Sequence, residues 1–154
     1  MRNVTISKTI AAPPADVWAV LADFPNIANW NSGVKTSYAT GEAVEGVGAT
    51  RHCDLSPAGR LEESIAEWVP EERLVVNIDE ASRIPIKRGV VTFTLDGGGD
   101  GGAGETRFTL SYDYLAKGGP VASLVGAMMG GQLRKGFTGF IDDLEVAAQS
   151  RATT

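Results

Sequence analysis

From Val34 to Leu115 the sequence repeats one pattern, and this pattern constrains the fold more than any other feature. Short stretches of alternating apolar and polar residues follow one another, separated by turn-forming Gly, Pro and Ser residues, as is typical of half-buried β-strands. Because parallel neighbours need a crossover of about a dozen residues or more, strands joined this closely are predicted to be antiparallel. The predicted strands are Val34–Thr40, Val47–Leu55, Arg60–Val69, Arg73–Asp79, Ile86–Leu95 and Thr106–Leu115.

A further strand and two short helices are predicted before this block. Residues Val4–Ile10 alternate in the same way. Pro14 or Ala15 can open a helix, since the missing N–H of a proline costs nothing there, and the apolar spacing that follows predicts a helix to about Asp23. Residues 26–30 predict a second short helical segment.

One long helix is predicted after the block. Apolar residues recur every three or four positions from 121 to 149. Glycines inside this segment weaken a helix by about 1 kcal/mol each relative to Ala, so packing must hold it, and a bend is predicted at Gly130–Gly131. Its opposite face is predicted to be solvated and carries Arg134, Lys135, Asp142, Asp143 and Glu145.

The order of these elements predicts an α+β fold in a single domain, residues 1–154. A seven-stranded, curled antiparallel sheet is predicted to pack on the long C-terminal helix, with the two short helices following the first strand. The glycine-rich segment 96–104 lacks the Lys-Ser/Thr pair of a phosphate-binding loop and is predicted to be a hairpin tip.

Composition excludes several classes of function. The net charge is −5, which disfavours nucleic acid as a partner because phosphate binding needs clustered basic residues. A single cysteine and a single histidine preclude an intrachain disulfide and a Cys/His zinc cage, so we expect no metal and no cofactor. We find neither a signal-peptide core nor an apolar run of the ~20 residues that a membrane span needs. We expect a cytoplasmic protein that is a monomer or a weak homodimer.

The two ends of the chain resemble a known superfamily. The stretch from Ala11 to Asp23, with Trp30 beyond it, and the stretch from Glu105 to Tyr114, with Gly118–Gly119 and the long helix after it, are similar to START-like (SRPBCC) proteins. The similarity is greatest to the polyketide cyclase/dehydrase branch of that superfamily, alongside the pollen-allergen-like and lipid-transfer proteins. The resemblance implies a helix-grip fold, in which the sheet grips the last helix around a deep, mostly apolar cavity.

Arg51 is the polar residue that the sequence singles out most clearly. Alternation places it on the more apolar face of its strand, together with Ala49 and Cys53. A buried guanidinium needs a partner, which can be Glu63 or Glu67 of the next strand or an anionic or carbonyl group of a ligand. Cys53 is predicted to be a small buried residue, and His52, on the other face, is predicted to be solvated.

The strand Arg60–Val69 does not show which face points inward, because both alternating sets mix apolar and charged residues. Glu63 and Glu67 share a parity but lie about 13 Å apart along a strand, too far for a two-carboxylate hydrolysis.

Aromatic residues and methionine supply the other candidate contacts. Tyr112 and Tyr114 join apolar rings to hydroxyls that need a partner when buried. Met128 and Met129 on the helix offer an adaptable wall. The candidate ligand-binding residues are Trp30, Arg51, Trp68, Phe93, Phe108, Tyr112, Tyr114, Met128 and Phe137.

Three functions are consistent with these residues. The first is binding of a small hydrophobic molecule such as a lipid or a polyketide-like compound. The second is polyketide cyclase, aromatase or dehydratase chemistry in the same cavity, with Arg51, Tyr112 and Tyr114 as candidate catalytic residues. The third is an interaction protein with a vestigial cavity and exposed apolar surface on the segment 24–30.

Overall fold

The computed structural model describes residues 1–97 and 104–152 and confirms the predicted architecture. Its strands form a seven-stranded antiparallel sheet in the order β1-β7-β6-β5-β4-β3-β2. The strands are β1 (Arg2–Ile10), β2 (Val34–Ala39), β3 (Thr50–Leu55), β4 (Arg60–Val69), β5 (Arg73–Ser82), β6 (Ile86–Asp96) and β7 (Thr106–Ala116).

The helices lie where the sequence predicts them. Helix α1 spans Pro14–Ala22 and begins with proline, and a 3₁₀ helix follows at Phe24–Asn29. A short 3₁₀ turn, Gly119–Val121, leads into the long helix α2, Ala122–Ala152. Helix α2 runs without interruption through Gly130–Gly131, where a bend is predicted.

Polar contacts from distant parts of the sheet converge on one turn of α2 and show how the sheet curls around it. Lys8, on the edge strand β1, binds Glu145 at 2.7 Å and Asp142 at 3.0 Å. Ser32, just before β2 at the opposite edge, donates from its backbone N–H and its hydroxyl to Asp143 at 2.9 and 2.8 Å. The prediction that all these carboxylates are solvated is therefore wrong for Glu145 and Asp143. They tie both edges of the sheet to the helix.

The inward faces of β6 and β7 form the centre of the core. The buried set alternates strictly along β7 and along β6 from Gly89 onward, as expected for a sheet with one covered face. It comprises Val91, Phe93, Leu95, Phe108, Leu110, Tyr112 and Tyr114.

Strand β3 begins later than predicted. Val47 was expected to start it, but the strand starts at Thr50 and Val47 is 67% exposed. Gly46 and Gly48 have φ angles of +81° and +92°, a region that strand residues do not occupy. The two glycines thus turn the chain before the strand can begin.

A β-bulge explains why neither alternating set of residues in β4 is consistently apolar. The register shifts between Ile65 and Glu67, so Ala66 has no direct partner on β5. The inward set is Glu63 and Ile65 before the bulge and Trp68 after it, and Glu67 turns outward to pair with Arg73 at 3.1 Å. One extra residue reverses the alternation halfway along the strand.

The predicted hairpin tip at 96–104 falls mostly on residues 98–103, which lie outside the described residues. Strands β6 and β7 on either side of it pair antiparallel. Within the described part of the chain, no helix combines the length with the hydropathy that crossing a bilayer requires.

Candidate ligand cavity

A cavity of about 270 Å³ lies between the inner face of the sheet and α2. Most of its wall consists of apolar side chains from the middle strands, the segment before β2 and the middle of α2. The lining residues are Ile27, Asn31, Gly33, Val34, Arg51, Cys53, Leu55, Leu61, Glu63, Val76, Ile78, Ile84, Ile86, Val91, Phe93, Tyr112, Gln132, Leu133, Gly136, Phe137 and Phe140.

Arg51 and Glu63 form the charged part of this wall. The two residues are directly paired across β3 and β4, and both are buried. Arg51 Nε donates to Glu63 Oε1 at 3.0 Å, and a terminal nitrogen donates to Glu63 Oε2 at 3.3 Å. The other terminal nitrogen donates to the carbonyl of Phe24 at 2.9 Å, and the guanidinium lies 3.8 Å from the centroid of the Phe24 ring. The partner of Arg51 is therefore Glu63 and not Glu67.

Two further ionisable groups in the wall stay neutral. The thiol of Cys53, which is buried as predicted, donates to Glu63 Oε1 at 3.3 Å. Burial and the Glu63 carboxylate raise the pKa of this thiol to about 12. Burial also raises the pKa of Tyr112 well above its usual value. Neither group is a nucleophile or base at ordinary pH.

The two tyrosines of β7 have different roles. Tyr112 lines the cavity, and its buried hydroxyl has no hydrogen-bond partner among the described residues. Tyr114 is outside the cavity wall, and its hydroxyl donates to the carbonyl of Gly126 at 2.9 Å. The rings stack with centroids 5.4 Å apart. Tyr114 thus anchors α2 to the sheet, whereas Tyr112 lines the cavity with its hydroxyl buried.

The structure brings four of the predicted ligand contacts together at the cavity, namely Arg51, Phe93, Tyr112 and Phe137. Phe108 is fully buried behind Phe93, with ring centroids 5.8 Å apart. Met128 is 72% exposed on the outer side of α2, and Met129 is the buried methionine.

The two predicted tryptophan contacts also lie outside the cavity wall. Trp68 packs edge-on against Trp18 of α1 at 5.0 Å. Trp30 packs edge-on against Phe140 at 5.1 Å, and its buried indole nitrogen has no partner among the described residues. Trp30 supports a cavity residue without facing the cavity itself.

Several lining residues were missed by sequence reasoning. Phe140 is one of the apolar positions of α2. Its spacing predicts that it is buried, but not whether it borders a cavity or packs in a filled core. Gly33, Gln132 and Gly136 are exposed members of the lining and mark where the cavity opens to solvent. A search for apolar periodicity does not select small or polar residues. That they line the cavity is seen only once α2 is packed against the sheet.

His52 faces away from the cavity, as predicted, but the expectation that it is solvated is wrong. The ring is buried and stacks on Tyr38, with centroids 4.9 Å apart. Nδ1 contacts a Glu62 carboxylate oxygen, and Nε2 lies 2.9 Å from Asp54 Oδ1. The hydrogen bonds with Glu62 and then Asp54 raise the pKa of His52. This cluster occupies the opposite side of the sheet from Arg51.

Solved structures of several proteins share this fold at low sequence identity. The Zhui aromatase/cyclase from Streptomyces sp. R1128 aligns with a TM-score of 0.82 and 14% identity over 98% of this chain and 95% of its own. A START superfamily protein from Mycobacterium smegmatis aligns with a TM-score of 0.70 and 14% identity, covering 97% and 95%. The major latex-like protein 151 of Panax ginseng aligns with a TM-score of 0.71 and 16% identity, covering 94% and 95%.

These likenesses confirm the helix-grip fold that the sequence resemblance implied. No curated protein matches the chain. A family model described as polyketide cyclase / dehydrase and lipid transport matches residues 1–149, nearly the whole length. The chain belongs to the polyketide cyclase / dehydrase and lipid transport family.

Proposed function

We propose that the protein binds a small hydrophobic molecule in the cavity between the sheet and α2. The observation that carries this proposal is the cavity itself, about 270 Å³ behind a largely apolar wall. Ligand pockets have this composition, and their volumes begin at roughly 300 Å³, so a compact ligand is expected. Phe93, Tyr112 and Phe137 border the cavity without filling it.

The polar groups favour binding over catalysis. Arg51 is held by Glu63 and the Phe24 carbonyl, so its charge is already compensated. Tyr114 hydrogen bonds to the backbone of α2. Two of the three candidate catalytic residues therefore have structural partners. The third function, an interaction protein, predicted exposed apolar side chains on 24–30, but Phe24 and Ile27 are buried.

A filled-cavity variant tests binding. Val91 lines the cavity, while its neighbour Val90 lies on the other face of β6. The neutral dye N-phenyl-1-naphthylamine is expected to gain fluorescence with the wild-type protein. Val91→Phe should weaken this binding by about tenfold or more, since one ring replaces the space that the dye needs. Val90→Phe is the matched control and should leave it unchanged. Equal binding by all three proteins would place the dye elsewhere and contradict the proposal.

One observation keeps cyclase chemistry as a second candidate. Tyr112 contributes to the cavity wall, and its raised pKa keeps its hydroxyl protonated as a potential donor to a substrate carbonyl. In this alternative the cavity folds a poly-β-keto chain and Tyr112 stabilises the oxygen of the reacting carbonyl. Cyclisation of a supplied polyketide analogue should then fall by about a hundredfold or more in Tyr112→Phe and persist in Tyr114→Phe. Absence of turnover by the wild-type protein would leave binding as the function.

A further inference from the structure

The charges inside the cavity cancel each other before any ligand enters. Among its described lining residues, Arg51 and Glu63 carry the formal charges at neutral pH, and they share two hydrogen bonds. The other titratable groups of the wall, Cys53 and Tyr112, are neutral. The wall therefore offers an incoming ion no uncompensated charge of opposite sign.

The Arg51–Glu63 pair is also fixed in place. Both side chains are at least nine-tenths buried, at 8% and 7% side-chain exposure. Arg51 is further held by the Phe24 carbonyl and ring, and Glu63 by the Cys53 thiol. Swinging Arg51 toward a ligand carboxylate would break these contacts and leave Glu63 charged and unpaired in the core. A ligand anion thus meets a cation that cannot turn to it without a large loss.

From this geometry we propose that the cavity selects uncharged ligands, with an apolar body and a neutral hydroxyl or carbonyl group, over carboxylates and amines of the same size. The proposal rests on the proposed binding function and names the chemical class of its ligand. A carboxylate or ammonium loses its hydration on entry and gains no net countercharge, whereas a neutral oxygen costs far less to bury. Neutral polar atoms also find partners here, because a guanidinium has five N–H donors and three of those of Arg51 are used within the protein.

A matched set of small probes tests the preference. Octan-1-ol, octanoate and octylamine share one chain length and are neutral, negative and positive at pH 7.5. Calorimetric titration of the wild-type protein should show octan-1-ol binding at least about tenfold more tightly than either ion. Octanoate or octylamine binding as tightly as the alcohol would overturn the charge preference and leave the binding function standing. Failure of all three probes to bind would contradict the binding function itself.

Removing one charge should abolish the preference. Glu63→Gln leaves Arg51 as an uncompensated cation in the wall, so octanoate should gain at least about tenfold in affinity and octan-1-ol should not. Glu67→Gln is the control on the same strand. It removes the same charge from the protein, but Glu67 is 45% exposed and pairs with Arg73 outside the cavity. Its probe affinities should match the wild type. An equal gain in both variants would assign the effect to overall charge and refute the proposal.

The double variant Arg51→Gln/Glu63→Gln guards against a Glu63→Gln protein that does not fold. It contains no unpaired charge, so it should fold and keep the wild-type preference for octan-1-ol. Tighter binding of octanoate than of octan-1-ol by this protein would show that the neutral wall does not set the preference.

Discussion

The hydroxyl of Tyr112 occupies the space beside Gly89. A Cβ added at position 89 would lie 2.5 Å from Tyr112 Oη and 2.8 Å from Tyr112 Cε1. The two residues are on adjacent strands, because Gly89 pairs with Tyr114, two positions along β7. Glycine at 89 therefore leaves the room that the hydroxyl and the ring of Tyr112 occupy beside β6.

Gly89→Ala should destabilise the protein by about 1–3 kcal/mol, the usual range for forcing extra atoms into a packed core. Urea unfolding followed by circular dichroism measures the change. Gly131→Ala is the control, because a Cβ there meets nothing within 4 Å and α2 gains a better helix former. That variant should be more stable by about 0.5–1 kcal/mol. Equal changes in the free energy of unfolding at both positions would mean that the Tyr112 side chain moves aside at no cost.

Breaking the buried ion pair should cost much more than breaking an exposed one. Arg51→Met leaves Glu63 charged and buried, and a loss of about 3–5 kcal/mol in the free energy of unfolding is expected. Adding Glu63→Leu should recover much of that loss, because no unpaired charge remains. The exposed pair gives the comparison, since Arg73→Met should cost only about 0–1 kcal/mol. A double variant no more stable than Arg51→Met would contradict this account.

The stability of the protein should depend on the charge of His52. Hydrogen bonds with Glu62 and then Asp54 raise its pKa in the folded state. Protonation is therefore favoured by folding, so the stabilisation is fully present below the unfolded pKa of about 6.5 and is lost as the pH rises through the raised value. The stability difference between wild type and His52→Gln, measured by urea unfolding, should shrink as the pH rises from 6 to 9. A constant difference would show that His52 does not titrate in this range.

Cys53 should be nearly inert to thiol reagents in the folded protein. With a pKa of about 12, its thiolate fraction at pH 8 is on the order of a thousandfold below that of a free cysteine. Iodoacetamide labelling followed by mass spectrometry should be slow in buffer and fast in denaturing urea. Rapid labelling under native conditions would show that the wall opens around β3.

Two residues of α2 should differ sharply in their effect on binding. Phe137 lines the cavity, whereas Met128 is 72% exposed on the other side of the helix. Phe137→Ala should weaken binding of N-phenyl-1-naphthylamine several-fold because it removes an aromatic wall. Met128→Ala should leave the affinity unchanged. A loss of affinity in Met128→Ala would indicate that the ligand also contacts the outer surface of α2.

The sequence was sufficient to predict the architecture and the inward direction of Arg51. Strand alternation is a local property, and on β3 every second residue, Arg51, Cys53 and Leu55, lines the cavity. The same logic failed on β4, where the inward face changes between Ile65 and Trp68. A bulge depends on pairing with the neighbouring strand, so its position is not visible in the alternation of one strand alone.

Long-range contacts account for most of the remaining errors. Asp143 and Glu145 have the spacing of an exposed helix face, yet they bind Ser32 and Lys8 because the sheet curls until both edges reach α2. His52 was expected to be hydrated, and Tyr38, Glu62 and Asp54 cover it instead. Apart from Asp54, which lies on the same strand as His52, these partners come from distant parts of the chain, and their approach is fixed only when the sheet has assembled.

The bulge at Ala66 divides β4 between two separate tasks. On one side of it, Leu61 and Glu63 border the cavity, and on the other side Trp68 anchors the first helix through Trp18. Substitutions in the first half can therefore alter ligand choice while the anchor is preserved, and repairs to the anchor need not alter ligand choice. Single substitutions in the cavity half of β4 can therefore change the specificity of the cavity one at a time, and each variant keeps the Trp18–Trp68 contact that holds the first helix.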